Sequence, residues 1–176
     1  MTGIGRVSVG VVLGSAVTSV LVTVLLIASV GKLLSFAEFS QTVRELGLSR
    51  RIVQPTAVTV ILVELALASA LLISLDTRRT ALLVALLFLT FMSVSVFAVW
   101  KGRQIGCNCF GSRHGIELGW ITAARGGLLA AMAIGVVALS NLGIEGLPSL
   151  TVAFVVALSA LHWLRQWSHA GAPSIE

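Results

Sequence analysis

Charge is what this chain has least of. Of its 176 residues only 11% are charged and 57% are hydrophobic, with a mean hydropathy of +1.02. A water-soluble domain of that size needs far more charge to cover its surface, so a soluble globular fold is excluded. No stretch is long and polar enough to fold as a separate soluble domain, and no internal repeat stands out. Residues 1–176 therefore read as a single integral membrane domain in the cell membrane. The net charge of +5 does not mark a nucleic-acid binder. The Lys and Arg residues are scattered among loops and helix ends, with no basic stripe interleaved with aromatics, as expected of residues flanking membrane spans. Cysteine is equally scarce. The chain has two, Cys107 and Cys109, one residue apart in a short polar loop, so thiol chemistry is confined to that place.

The apolar runs predict five spans. The first extends from about Val7 to Leu34 and exceeds the ~20 residues needed to cross a bilayer, so tilt or overhang is expected. It is too long for a signal-peptide core, carries only Arg6 ahead of it, and reads as a retained span. Residues 35–54 form a connector in which Phe36, Phe39, Val43 and Leu46 recur at helical spacing with Glu38, Arg44 and Glu45 between them. Two readings stand side by side, a short interfacial helix stopped by Gly47 and an ordinary solvated loop. Pro55 is expected to open the second span, about 55–75. Asp76-Thr77-Arg78-Arg79 reads as a tight polar turn that makes spans two and three antiparallel neighbours. The third span covers about 80–100 and ends on the interfacial pair Trp100-Lys101. The fourth, from about Glu117 to Leu142, is rich in Gly and Ala, which permits close helix contact. A fifth covers about 149–167. The fold expected is all-α, a multi-pass transmembrane antiparallel bundle with a four-helix core plus a fifth C-terminal span.

Two arguments disagree about orientation. Five spans put the 35–54 connector, the cysteine loop and the C-terminus on one side, with Lys32, Arg44, Arg50, Arg51, Lys101, Arg103, Arg113 and Arg165. The other side has Arg6, Arg78 and Arg79. By the positive-inside rule the cysteines face the cytoplasm. Thiols that cycle through a disulfide usually work in an oxidising compartment, which places the loop on the extracytoplasmic side. The second reading is preferred here, because some of these cations can serve the thiols instead of setting topology.

The loop itself is Gly106-Cys107-Asn108-Cys109-Phe110-Gly111. Residues two apart on a helix point about 200° apart, and in an extended strand their Cα atoms stand roughly 6.6 Å apart, at the limit for a disulfide. A Cys-x-Cys pair that bonds therefore needs a turn, and the bracketing glycines and Asn108 supply one. So small a ring is expected to be strained and easily reduced, suited to exchange more than to stapling. Lys101, Arg103, Arg113 and the start of the fourth span all favour the thiolate, the attacking species. Against this stands the reading of two inert cysteines in a membrane-embedded turn. A third reading takes Cys107, Cys109 and His114 as soft ligands for Cu(I) or Zn, but the fourth ligand of a closed zinc site is missing.

Two ionisable residues fall inside spans, where charge is costly and usually faces a partner or cavity. Glu64 is about 13–14 Å in from Pro55 and Arg125 about 12 Å in from Glu117. Matched depths predict a Glu64–Arg125 pair, with Lys32 higher on the same side and able to join it. Such a pair either locks helices or lines a pocket beneath the thiols that handles protons or a quinone-like head group. Ser93 and Ser95 are candidates for further polar lining.

Ser29-Val30-Gly31-Lys32, the Phe-rich connector, Val63-Glu64-Leu65, and Arg103 ahead of Cys107-Asn108-Cys109-Phe110-Gly111 together resemble the MauE (methylamine utilisation) family of redox-associated membrane proteins, related to DoxX. The resemblance covers roughly residues 18–140, and the Cys-x-Cys-Phe-Gly loop is its most specific part. It implies a four-helix membrane core working with an extracytoplasmic thioredoxin-like partner of the MauD type, in maturation of the disulfide-rich small subunit of methylamine dehydrogenase. The layout also looks like the quinone-linked bundles of vitamin K epoxide reductase and DsbB, by analogy of fold alone. The fifth span and Arg125-Gly126, where the family pattern has Asn after Arg, depart from it. The expected function is a membrane thiol–disulfide relay through Cys107 and Cys109, tuned by Lys32, Glu64, Arg103 and Arg125, with no certain cofactor and a quinone as the candidate electron carrier. The rivals are an assembly or transport helper whose thiols only brace a loop, and a Cu/Zn-binding membrane protein.

Overall fold

In a computed structural model of the chain, residues 3–73, 75–101 and 119–141 are described. They form five helices: α1 (Gly3–Leu34), α2 (Phe36–Glu45), α3 (Arg50–Leu72), α4 (Thr77–Trp100) and α5 (Trp120–Asn141). All but α2 contain a window long and apolar enough to cross a membrane; in α1 it is Gly10–Leu34. The protein is a multi-pass helical bundle. The expected fifth span at 149–167 and the loop carrying Arg103, Cys107, Cys109 and His114 lie outside the described residues.

The buried positions of α1 and α3 follow one rule. On α1, Thr18, Val22, Leu25, Ser29 and Lys32 are buried, and on α3, Ala57, Ile61, Glu64, Ala68 and Leu71. Alternating steps of four and three residues keep each set on one stripe, the seam along which two helices pack. α4 and α5 meet along a different surface. Ala123, Gly126, Ala130 and Ala133 face inward on α5, and a β-carbon at Gly126 would stand 3.4 Å from the Met92 backbone. Small residues let these two backbones approach most closely.

The four long helices close a ring in which α1 touches α3 and α5, and α4 touches α3 and α5, with α1 and α4 diagonal to one another. Leu21, Leu25, Leu71, Val84, Phe88 and Ala133 meet in its interior. The outward faces carry Leu62, Leu83, Leu86, Leu128 and Ile134, all exposed, which is the surface a bilayer solvates.

The connector forms the short helix, not the loop. Phe39 and Val43 on α2 pack against Val53, Ala57 and Ile61 on α3. Gly47 ends it with φ +98°, a conformation a β-carbon resists.

Two boundaries differ from those expected. The third helix begins at Arg50, and Pro55 lies inside it. Proline there has no N–H to give the Arg51 carbonyl, and Arg51 is exposed in the first turn, where water can replace that bond. The polar turn is also shorter than four residues. Asp76 is the N-cap of α4, with φ +36°, and its side chain accepts from the Arg79 N–H. Thr77, Arg78 and Arg79 already belong to the helix.

Candidate functional site

Four elements converge on Lys32. It lies in the last turn of α1, and continuing the buried stripe carries its side chain into the bundle. Its Nζ donates to Glu64 Oε1 at 2.6 Å, and both side chains are 1% exposed. The ammonium also stands 5.5 Å from the ring centroid of Phe39 on α2 and 5.3 Å from that of Phe91 on α4. Both distances are within reach of the attraction between a cation and an aromatic face. Lys32 thus finds one carboxylate and two rings in place of water.

The two oxygens of Glu64 are held unequally. Oε1 has the ammonium. Oε2 has only the Ser29 hydroxyl at 3.3 Å, and that hydroxyl is nearer the Leu25 carbonyl, at 2.7 Å. A hydroxyl has one proton to give, and the shorter contact takes most of it. Oε2 is therefore a buried carboxylate oxygen with acceptor capacity to spare.

The expected Glu64–Arg125 pair does not form. Glu64 pairs with Lys32, and Arg125 is exposed on α5. Depth along a helix says nothing about azimuth. Arg125 precedes Gly126 on the inward stripe, and one residue rotates a side chain by about 100°, off the contact face. Of the two serines on α4, Ser95 is buried and Ser93 exposed. Each donates to the carbonyl one turn back, Ser93 to Leu89 at 2.8 Å and Ser95 to Phe91 at 3.0 Å, so Ser93 lines nothing inside.

Phe91 was not among the residues singled out from sequence. The signal for it is the α4 series Val84, Phe88, Phe91, Ser95 and Ala98, whose four-and-three spacing puts Phe91 on the inner stripe.

The site sits at a defined end of the molecule. The end of α1, the start of α3, the end of α4 and the start of α5 share it. No group of three His, Cys, Asp or Glu residues able to hold a metal occurs among the described residues; the Cys107, Cys109 and His114 set lies outside them.

The bundle and its buried ion pair define the class: a multi-pass helical membrane protein with a charged site inside its core. More narrowly, the chain belongs to the family described as methylamine utilisation protein MauE, which matches residues 10–139. No curated protein and no solved structure matches it.

Proposed function

We propose that this protein is a membrane thiol–disulfide relay in which Cys107 and Cys109 exchange electrons with an extracytoplasmic thioredoxin-like partner. One thiolate attacks a sulfur of the partner's disulfide and displaces the other as a thiolate, which takes up a proton. The second cysteine, as its thiolate, then attacks the mixed disulfide. The partner leaves as a dithiol and the pair as a Cys107–Cys109 disulfide, two electrons having moved to the partner. A membrane carrier of the quinol class returns two electrons and two protons, and the reverse sequence oxidises the partner. Lys32, Arg103 and Arg125 bias the loop toward the thiolate. Glu64 carries the proton.

The observation that supports this reading is the Lys32–Glu64 pair at the loop's end of the bundle, with Oε2 of Glu64 only loosely held. Replacing a buried ion pair by apolar side chains is often neutral or stabilising, so stability alone is a poor reason to retain one. Membership of a methylamine-utilisation family agrees with a role in maturing a disulfide-containing enzyme.

Trapping tests it. In cells, Cys107→Ser or Cys109→Ser should accumulate a mixed disulfide with a thioredoxin-like protein, seen as a reducible band on a gel. If neither variant traps a partner, the relay is wrong. A double Cys→Ser protein that still supports enzyme maturation favours the assembly helper. Labelling Cys107 with a membrane-impermeant maleimide in intact cells fixes the side of the loop.

A further inference from the structure

At the same end of the molecule, α2 and the first turns of α3 enclose an open cleft of about 560 Å³ whose lining includes Ser40, Gln41, Arg44, Glu45, Arg50 and Gln54. The spacing explains the grouping. Ser40, Gln41 and Arg44 share one face of α2, and Arg50 and Gln54 share one face of α3. The opposite side of α2, with Phe39 and Val43, is the side packed on α3.

Three features of the lining suit an anion. First, neither Arg44 nor Arg50 has a salt-bridge partner among the described residues, where the pairs are Lys32–Glu64 and Asp76–Arg79. The one carboxylate in the lining, Glu45, accepts from the Gln41 amide at 3.0 Å. Second, the Ser40 hydroxyl oxygen is buried and has no hydrogen-bond partner. Its counterparts Ser29, Thr42 and Ser69 each give their proton to the carbonyl one turn back; Ser40 keeps its donor, and a buried donor left unmade costs free energy. Third, α3 starts here with no side-chain cap from Ser49; the Ile52 N–H turns back to the Ser49 carbonyl at 3.0 Å, which leaves the Arg50 and Arg51 N–H groups ahead of the helix's own bonding pattern.

The surroundings identify the carrier of that anion. Leu33, Leu34 and Ile52 are 52%, 69% and 49% exposed at this end, beside the cations. Exposed apolar side chains at the same end as two guanidiniums suit a ligand with both acyl chains and a phosphodiester, and guanidinium pairs with phosphate oxygens in a bidentate manner. We infer that the α2–α3 cleft binds the phosphate of an anionic phospholipid, with Arg44 and Arg50 as its cationic jaws and Ser40 as a neutral donor.

The test uses the purified full chain in detergent, with native mass spectrometry reading the bound fraction of phosphatidylglycerol, phosphatidylcholine and, as competitor, inorganic phosphate. Phosphatidylglycerol should bind on the order of tenfold tighter than phosphatidylcholine, and millimolar inorganic phosphate should displace little of it. Arg44→Gln with Arg50→Gln should lower phosphatidylglycerol binding roughly 25-fold, about fivefold for each arginine. Arg78→Gln with Arg79→Gln, at the far end, should change it less than about twofold by the same reckoning. Should the first double variant fail to fold, Gln54→Glu in the exposed rim places a repelling charge in the cleft and should lower binding as well. Equal binding of the two lipids, equal losses in the two double variants, or full displacement by inorganic phosphate would each overturn the lipid site.

Discussion

Among the described residues two Lys/Arg–carboxylate pairs of similar length stand at opposite ends, and they do different things. Lys32–Glu64 spans 2.6 Å with both side chains 1% exposed, while Arg79–Asp76 spans 3.0 Å with side chains 85% and 51% exposed, respectively. In water the attraction between unit charges at such range is about 1 kcal/mol and is largely offset by side-chain ordering and salt. Removed from water, each charge loses its hydration and becomes dependent on its partner. The exposed pair decorates a helix start. In the buried pair each charge needs the other for α1 and α3 to sit together.

Breaking the buried pair on one side should have the largest effect. Lys32→Met or Glu64→Ala leaves an uncompensated charge in the core and should cost about 3–5 kcal/mol, read as a lower thermal midpoint in detergent or as loss of expressed protein. The joint replacement Lys32→Met with Glu64→Leu sharpens the contrast. It should recover most of that stability, because no charge is left unpaired, yet a relay that needs Glu64 as proton carrier should stay inactive in the maturation assay. Activity returning with stability would make the pair purely a helix lock. Phe91→Leu removes one aromatic face from the ammonium and should cost about 1–2 kcal/mol, adding the lost ring attraction to the lost packing. Asp76→Ala, at the exposed pair, should cost only about 1 kcal/mol, most of it from the N-cap bond to Arg79. Arg125→Leu, on the outer surface of α5, should shift the midpoint by less than about 0.5 kcal/mol.

Hydropathy made the four crossing helices legible, since ~20 apolar residues in a row admit few other structures. The connector is legible only in part: the helical spacing of Phe36, Phe39 and Val43 allows a short helix beside a solvated loop, and the packing of Phe39 and Val43 on α3 decides for the helix. The rarity of charge in the spans drew attention to Glu64. What went astray was the choice of its partner. Matching Glu64 to Arg125 used one coordinate, depth, where two helices meet only if azimuth matches as well. The inward stripes carry that second coordinate. Lys32 extends the series Thr18, Val22, Leu25, Ser29, and Glu64 falls within Ala57, Ile61, Ala68, Leu71, whereas Arg125 falls beside the Ala123, Gly126, Ala130 series. Phe91 was hidden for a different reason: an aromatic among apolar neighbours has no contrast until the cation beside it is known.

The separation of the two charges along the chain has a consequence for synthesis. Glu64 follows Lys32 by 32 residues, with α2 and the start of α3 between them. When α1 first enters the bilayer, Lys32 has no carboxylate to meet, but its place in the last turn lets the long side chain reach the headgroup region. The partners that hold the ammonium inside the bundle, Glu64 on α3 and Phe39 on α2, both follow it in the chain. The ion pair therefore ties the burial of a charge on the first span to the presence of the second, the helix on which the connector itself packs.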